Sequence, residues 1–90
     1  MKPFMNQMDK ITIYTTRTCP FCMLEKKYLD SQGLTYEEIF VDEKPDEAMK
    51  MVEISGQMGV PFTVIDKDNG ERVTILGFDQ KLIADTLGLT

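Results

Sequence analysis

Ninety residues carry 15 Asp and Glu against 10 Lys and Arg, a net charge of -5, with no histidine and two cysteines. That length holds one domain, and 42% hydrophobic with 28% charged residues excludes a disordered or fibrous chain. The acidity excludes the basic face that nucleic-acid binding needs, and no apolar run approaches the ~18 residues of a membrane helix.

The missing histidine removes Ser–His and Cys–His nucleophilic pairs and any His-bearing zinc site. Two cysteines are too few for an all-cysteine zinc site within one chain. Catalysis must rest on thiols, carboxylates, Lys, Arg or Tyr. Met1 to Asp9 carries one cation and no hydrophobic block, which does not read as a signal peptide, so the expected address is the cytoplasm. Residues 1–9 are expected to form a flexible extension and residues 10–90 the domain.

Lys10-Ile11-Thr12-Ile13-Tyr14-Thr15 alternates β-branched and aromatic residues, a strand signature. Thr16-Arg17-Thr18 is turn-like. From Pro20 to about Gln32 helix formers dominate, with Phe21, Leu24 and Tyr28 at three- and four-residue spacing. Gly33 supplies a stop. Residues 35–41 read as a second strand. Pro45, Asp46 and Glu47 open a second helix, since proline suits its first position and acids its positive end. Ala48, Met51 and Val52 form its expected buried stripe, and Gly56 ends it. Phe62–Ile65 and Arg72–Leu76 flank Asn69-Gly70, a strong hairpin signal. The last helix runs from the cap Asp79 to Leu87, with Leu82, Ile83 and Leu87 as its stripe and Gly88 as its stop. A βαβ unit demands parallel strands and a hairpin adds antiparallel ones. The expected fold is therefore α/β, with a mixed sheet in the order βαβ-α-ββ-α and helices covering it.

The chemistry lies in Cys19-Pro20-Phe21-Cys22, where the first strand hands over to the first helix. With Pro20 first in the helix, Cys19 becomes the cap, and its sulfur faces the free amides of Phe21 and Cys22. Such a setting lowers a thiol pKa from ~8.5 into the range ~3.5–7.5. The helix dipole supplies only ~0.3–2 kcal/mol, so amide hydrogen bonds at ~1.5–3 kcal/mol each must supply the rest. Lys26, one turn past Cys22, adds a screened attraction. Between residues 10 and 27, Lys10, Arg17, Lys26 and Lys27 face only Glu25, so the thiol end is expected to be locally positive. A structural bridge here would close too short a loop to add much stability, and a Cys-x-x-Cys beside a βαβ pattern reads as redox-active. Two thiolates could also hold part of an iron–sulfur cluster if a partner supplied the remaining ligands.

Ile13-Tyr14-Thr15, Thr18-Cys19-Pro20-Phe21-Cys22, Val60-Pro61 before a hairpin, and Gly77-Phe78-Asp79 before the last helix together resemble the glutaredoxin branch of the thioredoxin-like proteins. The resemblance runs from about Lys10 to Leu87. It implies a thioredoxin-like fold with a four-stranded mixed sheet and Pro61 in the cis form next to Cys19. It further implies that Val60 offers backbone hydrogen bonds to a bound thiol or peptide, and that Gly77, Phe78 and Asp79 line the far side of that groove. Glutathione-using members usually carry Lys where Thr16 stands, Thr where Gly59 stands and Gly where Leu76 stands. Arg17 is then the expected substitute cation in the substrate site. The run Leu76-Gly77-Phe78 resembles instead the redoxins that feed ribonucleotide reductase and are reduced by thioredoxin reductase.

The expected protein is a monomeric cytoplasmic thiol–disulfide oxidoreductase with no bound cofactor. Cys19 attacks and Cys22 resolves; Phe21 and Lys26 support the thiolate, and Arg17, Phe21, Val60, Pro61, Gly77, Phe78 and Asp79 contact substrate. Its partners are disulfide-bearing proteins or glutathione mixed disulfides, and glutathione or thioredoxin reductase is the external reductant. The alternatives are a periplasmic dithiol oxidase, a ribonucleotide-reductase redoxin and an iron–sulfur carrier.

Overall fold

The computed structural model describes residues 8–89, so the extension expected over residues 1–9 lies largely outside the described residues. Seven elements follow one another: β1 (Lys10–Thr15), α1 (Pro20–Ser31), β2 (Glu37–Phe40), α2 (Pro45–Ser55), β3 (Phe62–Asp66), β4 (Arg72–Leu76) and α3 (Gln80–Leu87). The sheet order is β2-β1-β3-β4. β1 pairs with β2 in parallel and with β3 antiparallel, and β3 pairs with β4 antiparallel. This is the expected mixed sheet.

The alternation of β1 divides the core. Ile11 and Ile13 join Leu29, Leu34, Ile65, Ile75 and Ile83 on the face covered by α1 and α3. Tyr14 turns the other way, to Phe62, Val64 and Met51 under α2. β1 is thus buried on both faces, which fits its β-branched run. Gly70, at φ 94°, closes the β3–β4 hairpin, a left-handed conformation that glycine adopts without strain. Asp9 ties the start of β1 to this hairpin: it accepts from the Asp68 amide at 3.0 Å and pairs with Lys67 at 3.2 Å.

Two helical stripes differ from the sequence reading. In α1 the buried residues are Cys22, Glu25 and Leu29, whereas Phe21 and Leu24 are exposed. In α3 the buried residues are Ile83 and Ala84, and Leu82 is exposed. In each case an apolar residue next to the buried stripe mimics it in spacing; capping geometry sets the helix phase. In α2, Met51 is fully buried while Ala48 and Val52 are only half-buried.

Candidate active site

Sheet register gathers one end of the molecule. Thr15 stands opposite Phe40, Tyr14 opposite Phe62, and Phe62 opposite Leu76. The segments leaving β1, β2 and β4 and the one entering β3 therefore converge. The Val41 amide donates to the Thr15 carbonyl at 2.9 Å, and the Gly77 amide to the Pro61 carbonyl at 2.8 Å. The Val60–Pro61 bond is cis, and Pro61 is fully buried. Gly77, at φ 79°, turns the chain from β4 toward α3.

Cys19 is the N-cap of α1, with extended backbone (φ −102°, ψ 105°) and Pro20 following in the first turn. Its sulfur accepts the Cys22 amide at 3.1 Å. Cys19 and Cys22 form a disulfide with their Cα atoms 5.2 Å apart. Both cysteines are buried, Cys22 at 1% exposure and Cys19 at 8%, so the cap residue is the less enclosed of the two. The pair can exchange two electrons with a dithiol, and the Cys22 amide lies where it would stabilise negative charge on the Cys19 sulfur.

The expected local positive charge is offset. Lys26 pairs with Glu38 at 2.7 Å, and the same carboxylate accepts the Thr15 hydroxyl at 2.8 Å. The Arg17 guanidinium pairs with Glu43, the Arg17 amide donates to Asp42 at 3.2 Å, and the guanidinium lies 4.6 Å from the Phe40 ring centre. Counting charges along the segment missed this because parallel β1–β2 pairing brings acids from 12 to 26 residues away onto these cations. The other expected contact residues divide by environment. Phe21 projects its ring into solvent at 62% exposure. Val60 is half-buried against the Tyr14 cluster, Phe78 packs on Tyr28 with ring centres 6.3 Å apart, and the Asp79 carboxylate caps α3 by accepting the Leu82 amide at 3.0 Å.

One group escaped the sequence reading. Glu25 is fully buried, one turn past Cys22 on the inner face of α1. Its Oε2 accepts the Thr63 hydroxyl at 2.5 Å, while Oε1 has no partner among the described residues. Burial pushes its carboxyl up from 4.5 to about 7, against a smaller downward pull from the Thr63 hydrogen bond. An orphaned buried oxygen costs about 1–3 kcal/mol. The signal was the i,i+3 spacing from Cys22: once that thiol is placed inward, Glu25 must follow. Among the described residues no three His, Cys, Asp or Glu side chains come together as a metal-holding group.

The glutaredoxin family model matches residues 11–69. Glutaredoxin 3 of Escherichia coli K12 is 36% identical over 59 residues, 66% of this chain and 71% of that protein. The glutaredoxin-like protein NrdH of Lactococcus lactis is 34% identical over 59 residues, 66% of this chain and 78% of its own. Among solved structures, the methanoredoxin of Methanosarcina acetivorans superposes with a TM-score of 0.72 at 32% identity, covering 89% of this chain and 85% of that one.

Proposed function

Since the chain belongs to the glutaredoxin family and is a dithiol–disulfide oxidoreductase, we propose that it prefers protein disulfides to glutathione mixed disulfides and takes its electrons from thioredoxin reductase. Cys19 as thiolate attacks the substrate disulfide and forms a mixed disulfide; Cys22 attacks the Cys19 sulfur and releases the second substrate thiol.

The observation carrying this reading is the pairing of Arg17 with Glu43 and of Lys26 with Glu38. Glutathione presents carboxylates, and both site-side cations already hold acids. Losing one charge-assisted contact costs ~1.5–3 kcal/mol, about 10- to 150-fold in affinity. Thr16 offers no charge to replace it. Leu76, at 48% exposure, stands where glutathione-using members usually carry glycine, and its Cδ1 lies 3.6 Å from the position a Cβ would take on Gly59. Phe21, Met58 and Leu76 are all exposed apolar side chains on segments flanking the disulfide or Val60–Pro61. An apolar rim suits a protein surface better than a small anion.

Turnover with insulin as the disulfide substrate, comparing NADPH and thioredoxin reductase against NADPH, glutathione and its reductase, tests this. The first couple should be faster, and Thr16→Lys with Leu76→Gly should raise the glutathione-coupled rate at least about tenfold. Efficient glutathione turnover that the double substitution leaves unchanged overturns the preference. A second reading, electron donor to ribonucleotide reductase, is favoured by the Leu76-Gly77-Phe78 run and by the likeness to the Lactococcus lactis protein. Failure to sustain ribonucleotide reduction in a purified system rejects it. The working form we propose is a cytoplasmic monomer, and a sedimenting mass well above 10.3 kDa would contradict it.

A further inference from the structure

Glu25 is buried, unpaired at one oxygen among the described residues and idle in the chemistry described so far. It occupies the same inner face of α1 as Cys22, one helical turn away, and both side chains are sealed from solvent at 0% and 1% exposure. The resolving step needs a route for a proton. Cys22 attacks as a thiolate, yet the residue is only 1% exposed, and its own amide is spent on Cys19. Among the described residues, the buried face of α1 carries one carboxyl beside that thiol, Glu25. We propose that Glu25 is the proton acceptor for Cys22 during resolution and the proton donor to it during re-reduction.

The step balances. The Glu25 carboxylate takes the proton of the Cys22 thiol; the Cys22 sulfur bonds to the Cys19 sulfur; the bond between Cys19 and the substrate sulfur breaks, and the substrate leaves as a thiolate. The protein is oxidised by two electrons and the substrate disulfide is reduced by two. When an external dithiol re-reduces the pair, Cys22 leaves as thiolate and recovers the proton from the Glu25 carboxylic acid. A carboxyl held near neutrality serves both directions, and burial puts Glu25 there.

Its surroundings leave this titration to Glu25. β3 contributes the uncharged Thr63. On α1 the titratable neighbours one turn to either side are Cys22 and Tyr28. Lys26, next in sequence, is turned to Glu38 on β2, and the β1 hydroxyl of Thr15 is spent on that same Glu38. The buried residues of α3, Ile83 and Ala84, carry no charge. In the oxidised protein burial raises its pKa and the Thr63 hydroxyl lowers it, with no charged group of the described residues contributing. Thr63 is thereby a positioning residue: it fixes Oε2 and leaves Oε1 open.

The inference rests on the dithiol reading, and one experiment separates the two. Rapid mixing of the reduced protein with the aromatic disulfide 5,5′-dithiobis(2-nitrobenzoate) releases one thionitrobenzoate when Cys19 attacks and a second when Cys22 resolves. In the wild type the second release should rise with pH through an inflection near 7. Glu25→Gln should slow that release roughly tenfold or more at pH 7 and remove the inflection, with the first release as internal control. Thr63→Val, which withdraws a hydrogen bond from the carboxylate, should move the inflection to higher pH and decides the matter if Glu25→Gln does not fold. The proposal falls if the second release keeps its rate and inflection in Glu25→Gln, if both releases slow together, or if Thr63→Val leaves the inflection in place. Absence of both releases from the wild type instead overturns the dithiol reading itself.

Discussion

Cys19 and Glu25 share one helix and meet opposite environments. The sulfur at the cap faces the Cys22 amide at 3.1 Å, which favours its charged form; the carboxyl lies in the core, which disfavours its own. Cys19 should therefore be the thiol that iodoacetamide alkylates first in the reduced protein, with a midpoint below the ~8.5 of a free thiol. Alkylation of Cys22 ahead of it, or a Cys19 midpoint near 8.5, refutes the assignment. Cys19→Ser should abolish all turnover, and Cys22→Ser only that requiring resolution. Glu25 makes a separate stability prediction. Its folded value of about 7 lies above the ordinary 4.5, so the folded state binds the proton more tightly than the unfolded chain does. Stability from this group is fully present below pH 4.5 and is lost as pH rises through 7, by about 3 kcal/mol. Urea midpoints of the oxidised protein should fall across that window, and Glu25→Gln should flatten the fall. An unchanged slope in the variant defeats the argument.

At the scale of elements, what could be read depended on whether local rules set the answer. The strand alternation of β1, proline at the start of α1 and α2, and Asn69-Gly70 in the hairpin are local devices, and each appears where the sequence places it. Cys19 as a cap was legible for the same reason. Helix phase was not, because Phe21 and Leu24 match the spacing of the buried stripe while standing one position to its side. Missing the phase of α1 also hid Glu25, since a glutamate in a helix reads as surface until its turn is placed. The pairing of Arg17 and Lys26 was equally hidden, being set by β2. Asp79 shows both kinds of information: its cap was legible, whereas a role in the groove rests on resemblance. Because the carboxylate accepts the Leu82 amide at 3.0 Å, Asp79→Ala should cost about 1 kcal/mol of stability. Asp79→Asn, which keeps an accepting oxygen, should be nearly neutral. Equal losses in chemical denaturation for both variants would show that the charge, and not the cap, carries the effect.

Over the whole molecule, net charge governs encounter. At -5 the chain repels anions unless a local cationic field overrides the total, and Glu43 and Glu38 cancel the two cations best placed to create one. Screening shortens the reach of such repulsion from about 30 Å at 0.01 M ionic strength to about 10 Å at 0.1 M. Steering changes association rates and not the exchange chemistry. Reduction of the anionic glutathione disulfide should therefore accelerate as salt is raised across that range, while reduction of the uncharged hydroxyethyl disulfide should stay flat. Glu43→Gln, which frees Arg17, should lower the salt dependence for glutathione disulfide and leave the uncharged substrate unaffected. A rate for glutathione disulfide that falls with added salt would mean that a positive field survives at the site. In that case Arg17 leaves its partner on substrate approach, and the preference for protein disulfides loses its electrostatic basis.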